Sequence, residues 1–185
     1  MLGPLDIHRE LLAVNAAHEI VRLPRTLAAA DELPEVLGLP AAACVSVSFY
    51  ETNVGLVGVL APAGTAVQPA LLAKAVGART LRAADPGAVN AATDYVAALA
   101  GPVCLPPTLP LYADLRLARA DVLYTATGDS GTALKMRTAE LLALTGARLA
   151  RLAGPVRVPT PAADAADAGA TPAEERVATA EPVAG

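Results

Sequence analysis

The chain has 185 residues, 54% of them hydrophobic but only 3% aromatic, and a formal net charge of −4 at pH 7. That size suits one domain with an appendage, its core built from Ala, Val and Leu. The acidic balance excludes binding of nucleic acid through overall charge, so DNA is not expected and an RNA partner must be held by a local patch.

In chain order, Leu5 to Val14 has helical spacing, with Leu5, Ile7, Leu11, Leu12 and Val14 as the expected buried positions. HEIVRLP (18–24) reads as a strand ended by Pro24. Ala28 to Leu37 is helical in composition, shortened or kinked by Pro34 and closed by Gly38. CVSVSFYE (44–51) alternates Val45, Val47 and Phe49 with Ser46, Ser48 and Tyr50, a strand with one apolar face and one hydroxyl face. That hydroxyl row either meets solvent or lines a pocket. VGLVGVLAP (54–62) completes a hairpin through Thr52-Asn53.

Thr65 and Gln68 suggest a capping box opening a helix to Val76, stopped at Gly77. TLRAA (80–84) reads as a short strand, and Asp85-Pro86 as the N-cap and first residue of a helix to about Thr93. Ala97 to Pro110, with four prolines and a glycine, reads as irregular. Three strand-like runs follow, LYADL (111–115), DVLYTATG (121–128) and GTALKMR (131–137), then a helix capped by Thr138 and ended by Gly146. Residues 155–185, rich in Pro, Ala, Thr and acid without apolar period, read as a disordered tail, leaving 1–154 as the folded domain. Interleaved strands and helices dominated by hairpins indicate a mixed α/β (α+β) fold.

No apolar run reaches membrane-spanning length, and MLGPLDIHRELLAV lacks the basic and apolar regions of a signal peptide, so a cytoplasmic location away from membranes is expected. Cys44 and Cys104 form no CxxC or His cluster, so reduced thiols are expected and neither a metal nor a cofactor. GxGxxG, GKS/T, GxSxG and HExxH are absent, which disfavours nucleotide and hydrolase motifs of those kinds. His8 and His18 read as structural rather than acid–base groups. Asp114, an acid in an apolar strand, accepts backbone N–H bonds in a turn or lines a site. Thr125, Thr127 and Gly128 set hydroxyls and main-chain amides at a strand end, which suits a carbonyl or phosphate oxygen, although a plain turn is the commoner use.

The ordered series LGLPAAACVSVSFYE, VGLVGVLAPAG, LLAKAVGARTLRAADP, TDYVAALAGPV, LPLYADLRL, DVLYTATGDSG and TAELLALTGA resembles the YbaK/ProX-type aminoacyl-tRNA deacylase superfamily over about residues 6–152. The resemblance implies a barrel-like mixed sheet surrounded by helices. It also implies trans-editing: water attacks the ester of a mischarged aminoacyl-tRNA, and a small pocket sorts the aminoacyl group as a second sieve. Backbone donors stabilise the oxyanion, and the terminal ribose hydroxyl assists in several members. The implied partners are the acceptor end of aminoacyl-tRNA and an aminoacyl-tRNA synthetase.

Carried onto this chain, the resemblance implies Ser46, Asp114 and Gly128 as the reacting centre. Ser48, Tyr95, Ala98, Leu99, Thr125 and Thr127 would be its substrate-binding wall. Three departures stand out. Ser46 occupies the place of the family's strand lysine, Ala98 and Leu99 replace a glycine pair between Tyr95 and Pro102, and Ala126 replaces a serine. Loss of the cation removes a charge-assisted hydrogen bond of roughly 1.5–3 kcal/mol, about one to two powers of ten in rate or binding. Arg25, Arg82 and Arg137 are the sequence's alternative cations. The chain therefore reads as a variant deacylase, with an inactive binding module for tRNA, a small aminoacyl ligand or a protein as the alternative. A small-molecule hydrolase ranks last.

Overall fold

The structure is a computed structural model and describes residues 1–152; the tail expected over 155–185 lies outside them. The elements are α1 (Pro4–Ala13), β1 (His18–Arg22), α2 (Leu33–Leu37), β2 (Cys44–Thr52), β3 (Gly55–Pro62), α3 (Pro69–Val76), β4 (Leu81–Ala83), α4 (Pro86–Thr93), β5 (Leu111–Asp114), β6 (Val122–Ala126), β7 (Thr132–Arg137), α5 (Thr138–Thr145) and β8 (Arg148–Ala150). The eight strands form one mixed sheet in the order β1-β7-β6-β2-β3-β5-β8, with β4 added to β2. The expected mixed α/β architecture is thus observed.

The hairpins β2–β3 and β6–β7 are antiparallel, and parallel contacts β2–β6, β3–β5 and β5–β8 join them. Alternation along β2 sends Val45, Val47 and Phe49 into the main core with Ile7, Leu11, Leu60, Tyr95, Leu123 and Leu134. The other face of the sheet has two separate apolar covers. Cys44, Ala63 and Ala133 lie under Leu33 and Val36 of α2 and under Leu23, Leu27 and Leu99. Val57, Val59 and Tyr112 lie under Leu72 of α3 and under Leu152.

Local sequence explains most element ends. Asp85 Oδ1 accepts the Gly87 N–H at 2.9 Å and the Ala88 N–H at 3.2 Å. Helix α4 therefore starts where an N-cap followed by Pro predicts. Gly38 and Gly146 end α2 and α5 in the left-handed region, with φ of 65° and 60°, the usual glycine stop.

Four expectations need correction, and one strand is new. Leu5, Leu12 and Val14 of the first helical run are exposed; only Ile7 and Leu11, one turn apart, face the sheet. Thr65 and Gln68 form no capping box: Gln68 is the N-cap residue of α3 but makes no side-chain cap, and Pro69 opens the helix. Thr138 is the first helical residue of α5, and its hydroxyl donates to the Ala120 carbonyl instead of capping. The strand expected over 80–84 covers only Leu81–Ala83. β8 is absent from the expectations; its three residues are strand because the Tyr112–Asp114 edge of β5 offers them a ladder.

Candidate functional site

Strand β2 shares one of its edges between two partners. β6 pairs with Cys44 and Val45, and β4 with Tyr50 to Thr52. Between those ladders, Val47 has no strand partner on that edge among the described residues. The Phe49 carbonyl turns to this edge, accepting the Ala84 N–H at 2.9 Å. Period-two alternation turns the main-chain N–H and C=O of Val47 the same way. The sheet therefore splits at Val47, and divergence of neighbouring strands is where open α/β sheets form ligand crevices.

Ser46 and Ser48 flank that split. Their cross-strand partners are Ala61 and Val59, so their hydroxyls share the outer face of the sheet with those two buried side chains. Both serines are half-buried. They lie in the seam between the two apolar covers, one holding Cys44 and Ala63, the other Val57 and Val59. The hydroxyl row is thus neither a solvent-washed face nor part of the core.

The Tyr95–Pro102 loop stands beside the end of β6. The Gly128 N–H donates to the Leu99 carbonyl at 2.9 Å. A Cβ at Gly101 would collide with the Ala126 carbonyl oxygen, so only glycine allows this approach of loop to strand. Tyr95 is fully buried and donates its hydroxyl to the Val103 carbonyl at 2.8 Å; burial raises its pKa well above the ordinary tyrosine value. Leu99 drives its side chain into the cluster of Cys44, Ala63 and Ala133, while Ala98 is exposed.

The remaining residues expected at the site take other positions. Asp114 is 1% exposed. Its Oδ1 meets Arg116 Nε at 2.8 Å and the Arg116 N–H at 3.0 Å, and its Oδ2 accepts the Leu152 N–H at 3.0 Å. The carboxylate thus ties the turn after β5 to the chain after β8, two strands away from β2. Thr125 pairs with Val45 and Leu134, both core residues, so it faces inward; its Oγ1 is buried without a partner among the described residues. Thr127 Oγ1 lies 2.6 Å from Thr132 Oγ1 across the β6–β7 turn. Gly128 donates its amide to the Leu99 carbonyl, so of the main-chain amides expected at this strand end its own N–H is already engaged.

Two of the alternative cations are engaged elsewhere. Arg25 reaches Glu35 at 2.7 Å and Glu32 at 3.5 Å, and Arg82 pairs with Glu51. Arg137, exposed, ends β7. Lys135, two strands from β2, reaches Glu19 at 2.7 Å, and that bond raises its pKa. Val47 carries no sequence signal as a site element, because its side chain reads as core and its contribution is main-chain. Gly101 does carry one, in the Gly-Pro pair that closes the loop.

Residues 25–144 match the model of the aminoacyl-tRNA editing domain family. No curated protein matches the chain. Among solved structures, a scaffold protein from work on grafting linear epitopes is 27% identical, with a TM-score of 0.73 over 83% of this chain and 99% of its own. A candidate trans-editing enzyme for prolyl tRNA synthetase is 25% identical, with a TM-score of 0.72 and the same coverage. A hypothetical protein, 21% identical with a TM-score of 0.73 over 80% of this chain and 99% of its own, bears on the fold alone. The family match spans more than half of the sequence and the split strand lies inside it: this chain belongs to the aminoacyl-tRNA editing domain family.

Proposed function

We propose that the chain is an aminoacyl-tRNA deacylase that hydrolyses the ester of a tRNA charged with the wrong small amino acid. The observation that carries this reading is the split edge of β2, where the Val47 main chain and the Ser46 and Ser48 hydroxyls are available at one place. Water adds to the ester carbonyl, the C–O bond to the terminal ribose breaks, and free amino acid and uncharged tRNA leave. Charge develops on the carbonyl oxygen, and a fixed main-chain donor is the group best suited to meet it. In this proposal the Val47 N–H supplies that donor and Ser46 orients the water or the ester by hydrogen bonding. Tyr95, Gly101 and Gly128 hold the neighbouring loop, Leu99 limits the space for the aminoacyl side chain, and Asp114 acts at a distance by fixing the sheet.

Leu99 in the outer-face cluster, together with serine in place of lysine at 46, favours a second reading: a domain that binds aminoacyl-tRNA or a synthetase without cleaving the ester. A panel of mischarged tRNAs separates the two. The deacylase reading expects at least one small aminoacyl ester to be cleaved well above its buffer rate. Retention of tRNA without cleavage of any ester in the panel favours the binding module.

A further inference from the structure

Away from β2, two histidines on different elements bring ring nitrogens together. His8 on α1 and His18 at the start of β1 place Nδ1 and Nε2 2.8 Å apart. His18 Nδ1 lies 2.8 Å from the Ala16 carbonyl oxygen, which only accepts, so this nitrogen carries the proton. In the neutral ring, the lone pair is then on Nε2 and points at His8. The rings meet edge to face, with centroids 5.0 Å apart and an interplanar angle of 61°. They also border a surface cavity of about 260 Å³ with Pro4, Leu5 and Ile20, so the pair is open to solutes.

We infer that His8 and His18 form a binding site for a divalent transition-metal ion of the zinc type. Neutral imidazole is the ordinary ligand for such ions. A metal-ligating histidine usually donates its other N–H to a carbonyl or carboxylate, which fixes tautomer and ring direction. His18 already has that arrangement with Ala16. Binding requires His8 to exchange tautomers: its proton moves from Nδ1 to Nε2 through water, and the freed lone pair joins that of His18. No net proton is released from the neutral pair. With metal–nitrogen bonds of about 2.0–2.1 Å and tetrahedral angles, the nitrogens must part to roughly 3.3 Å. His8 is exposed on a helix face, so this small adjustment falls on a solvent-side ring. Among the described residues no third His, Cys, Asp or Glu joins the pair, so water completes the shell. The bound ion would clasp α1 to β1.

Co²⁺ titration of the full chain, followed by visible absorption, is the test. The expected result is one Co²⁺ per chain with ligand-field bands and no thiolate charge-transfer band. His8→Ala should weaken binding at least tenfold; being an exposed helix position, it should leave the fold intact. His18→Ala should do the same. In parallel, Zn²⁺ should raise the Tm of the wild type and leave that of His8→Ala unchanged. Three results would each overturn the assignment: no Co²⁺ bound at about 1 mM, a thiolate band from Cys44 or Cys104, or affinity unchanged in His8→Ala.

Discussion

The ring of Tyr95 lies directly against Gly128: a Cβ added at 128 would stand 3.0 Å from Tyr95 Cδ1 and would collide with the Leu2 carbonyl oxygen. Gly128 also has φ of +82°, a conformation L side chains rarely adopt. Gly128→Ala should therefore lower stability by about 1–3 kcal/mol, seen as a lower urea midpoint with an unchanged slope. A midpoint equal to wild type would show that the loop does not rest on this contact.

Asp114 is expected to act on stability more than on chemistry. Its carboxylate is buried against Arg116 and two main-chain amides. Asp114→Ala leaves the guanidinium and both N–H groups without that acceptor, a loss on the order of 3 kcal/mol. Urea unfolding measures this. If Asp114→Ala unfolds like wild type but loses all deacylation, the residue belongs to the reacting centre after all.

Both thiols should be poor nucleophiles near neutral pH. Burial pushes the pKa of Cys44 from 9.0 up to about 11; burial, with the nearby Glu10 and Asp6 carboxylates, does the same for Cys104. That rise means about a hundredfold less thiolate at pH 8 and correspondingly slow alkylation of the folded chain. Because the folded values are raised, this contribution to stability is fully present below pH 9 and is lost as pH rises through about 11. A thermal-melting series from pH 8 to 11 checks the sign; stability rising over that range would contradict it.

Leu99 should set the size limit of the site. Its side chain is 9% exposed and sits with Cys44, Ala63 and Ala133 beside the Ser46 row. Leu99→Ala removes this plug at a cost of about 2 kcal/mol or more. The ratio of cleavage rates for bulkier over smaller aminoacyl esters should rise. An unchanged ratio would place the aminoacyl group elsewhere.

Much of this molecule can be read locally. The alternation in CVSVSFYE correctly divides core from outer face, and Asp85-Pro86 and Gly146 mark helix ends by chemistry that depends on near neighbours alone. What local sequence does not contain is pairing. That Cys44–Val45 meets β6 while Tyr50–Thr52 meets β4 depends on segments far along the chain, and the split at Val47 follows only from that division. The same holds in part for Asp114: its bond to the Arg116 N–H is local, but its bond to the Leu152 N–H comes from a segment far along the chain. Thr125 shows the converse: its hydroxyl suggests a polar role, yet its register with Val45 and Leu134 points it inward.

The central claim, that the β2 split is a deacylase site, is tested most directly at Ser46. Deacylation rates of wild type, Ser46→Lys and Ser46→Leu should be compared on the small mischarged aminoacyl-tRNA that the wild type cleaves fastest, with folding checked by thermal melting. Ser46→Lys restores a charge-assisted contact and should raise the rate about tenfold or more, while Ser46→Leu should lower it toward the buffer rate. Equal rates for all three well-folded proteins would contradict the account, because the ester would then react away from this strand.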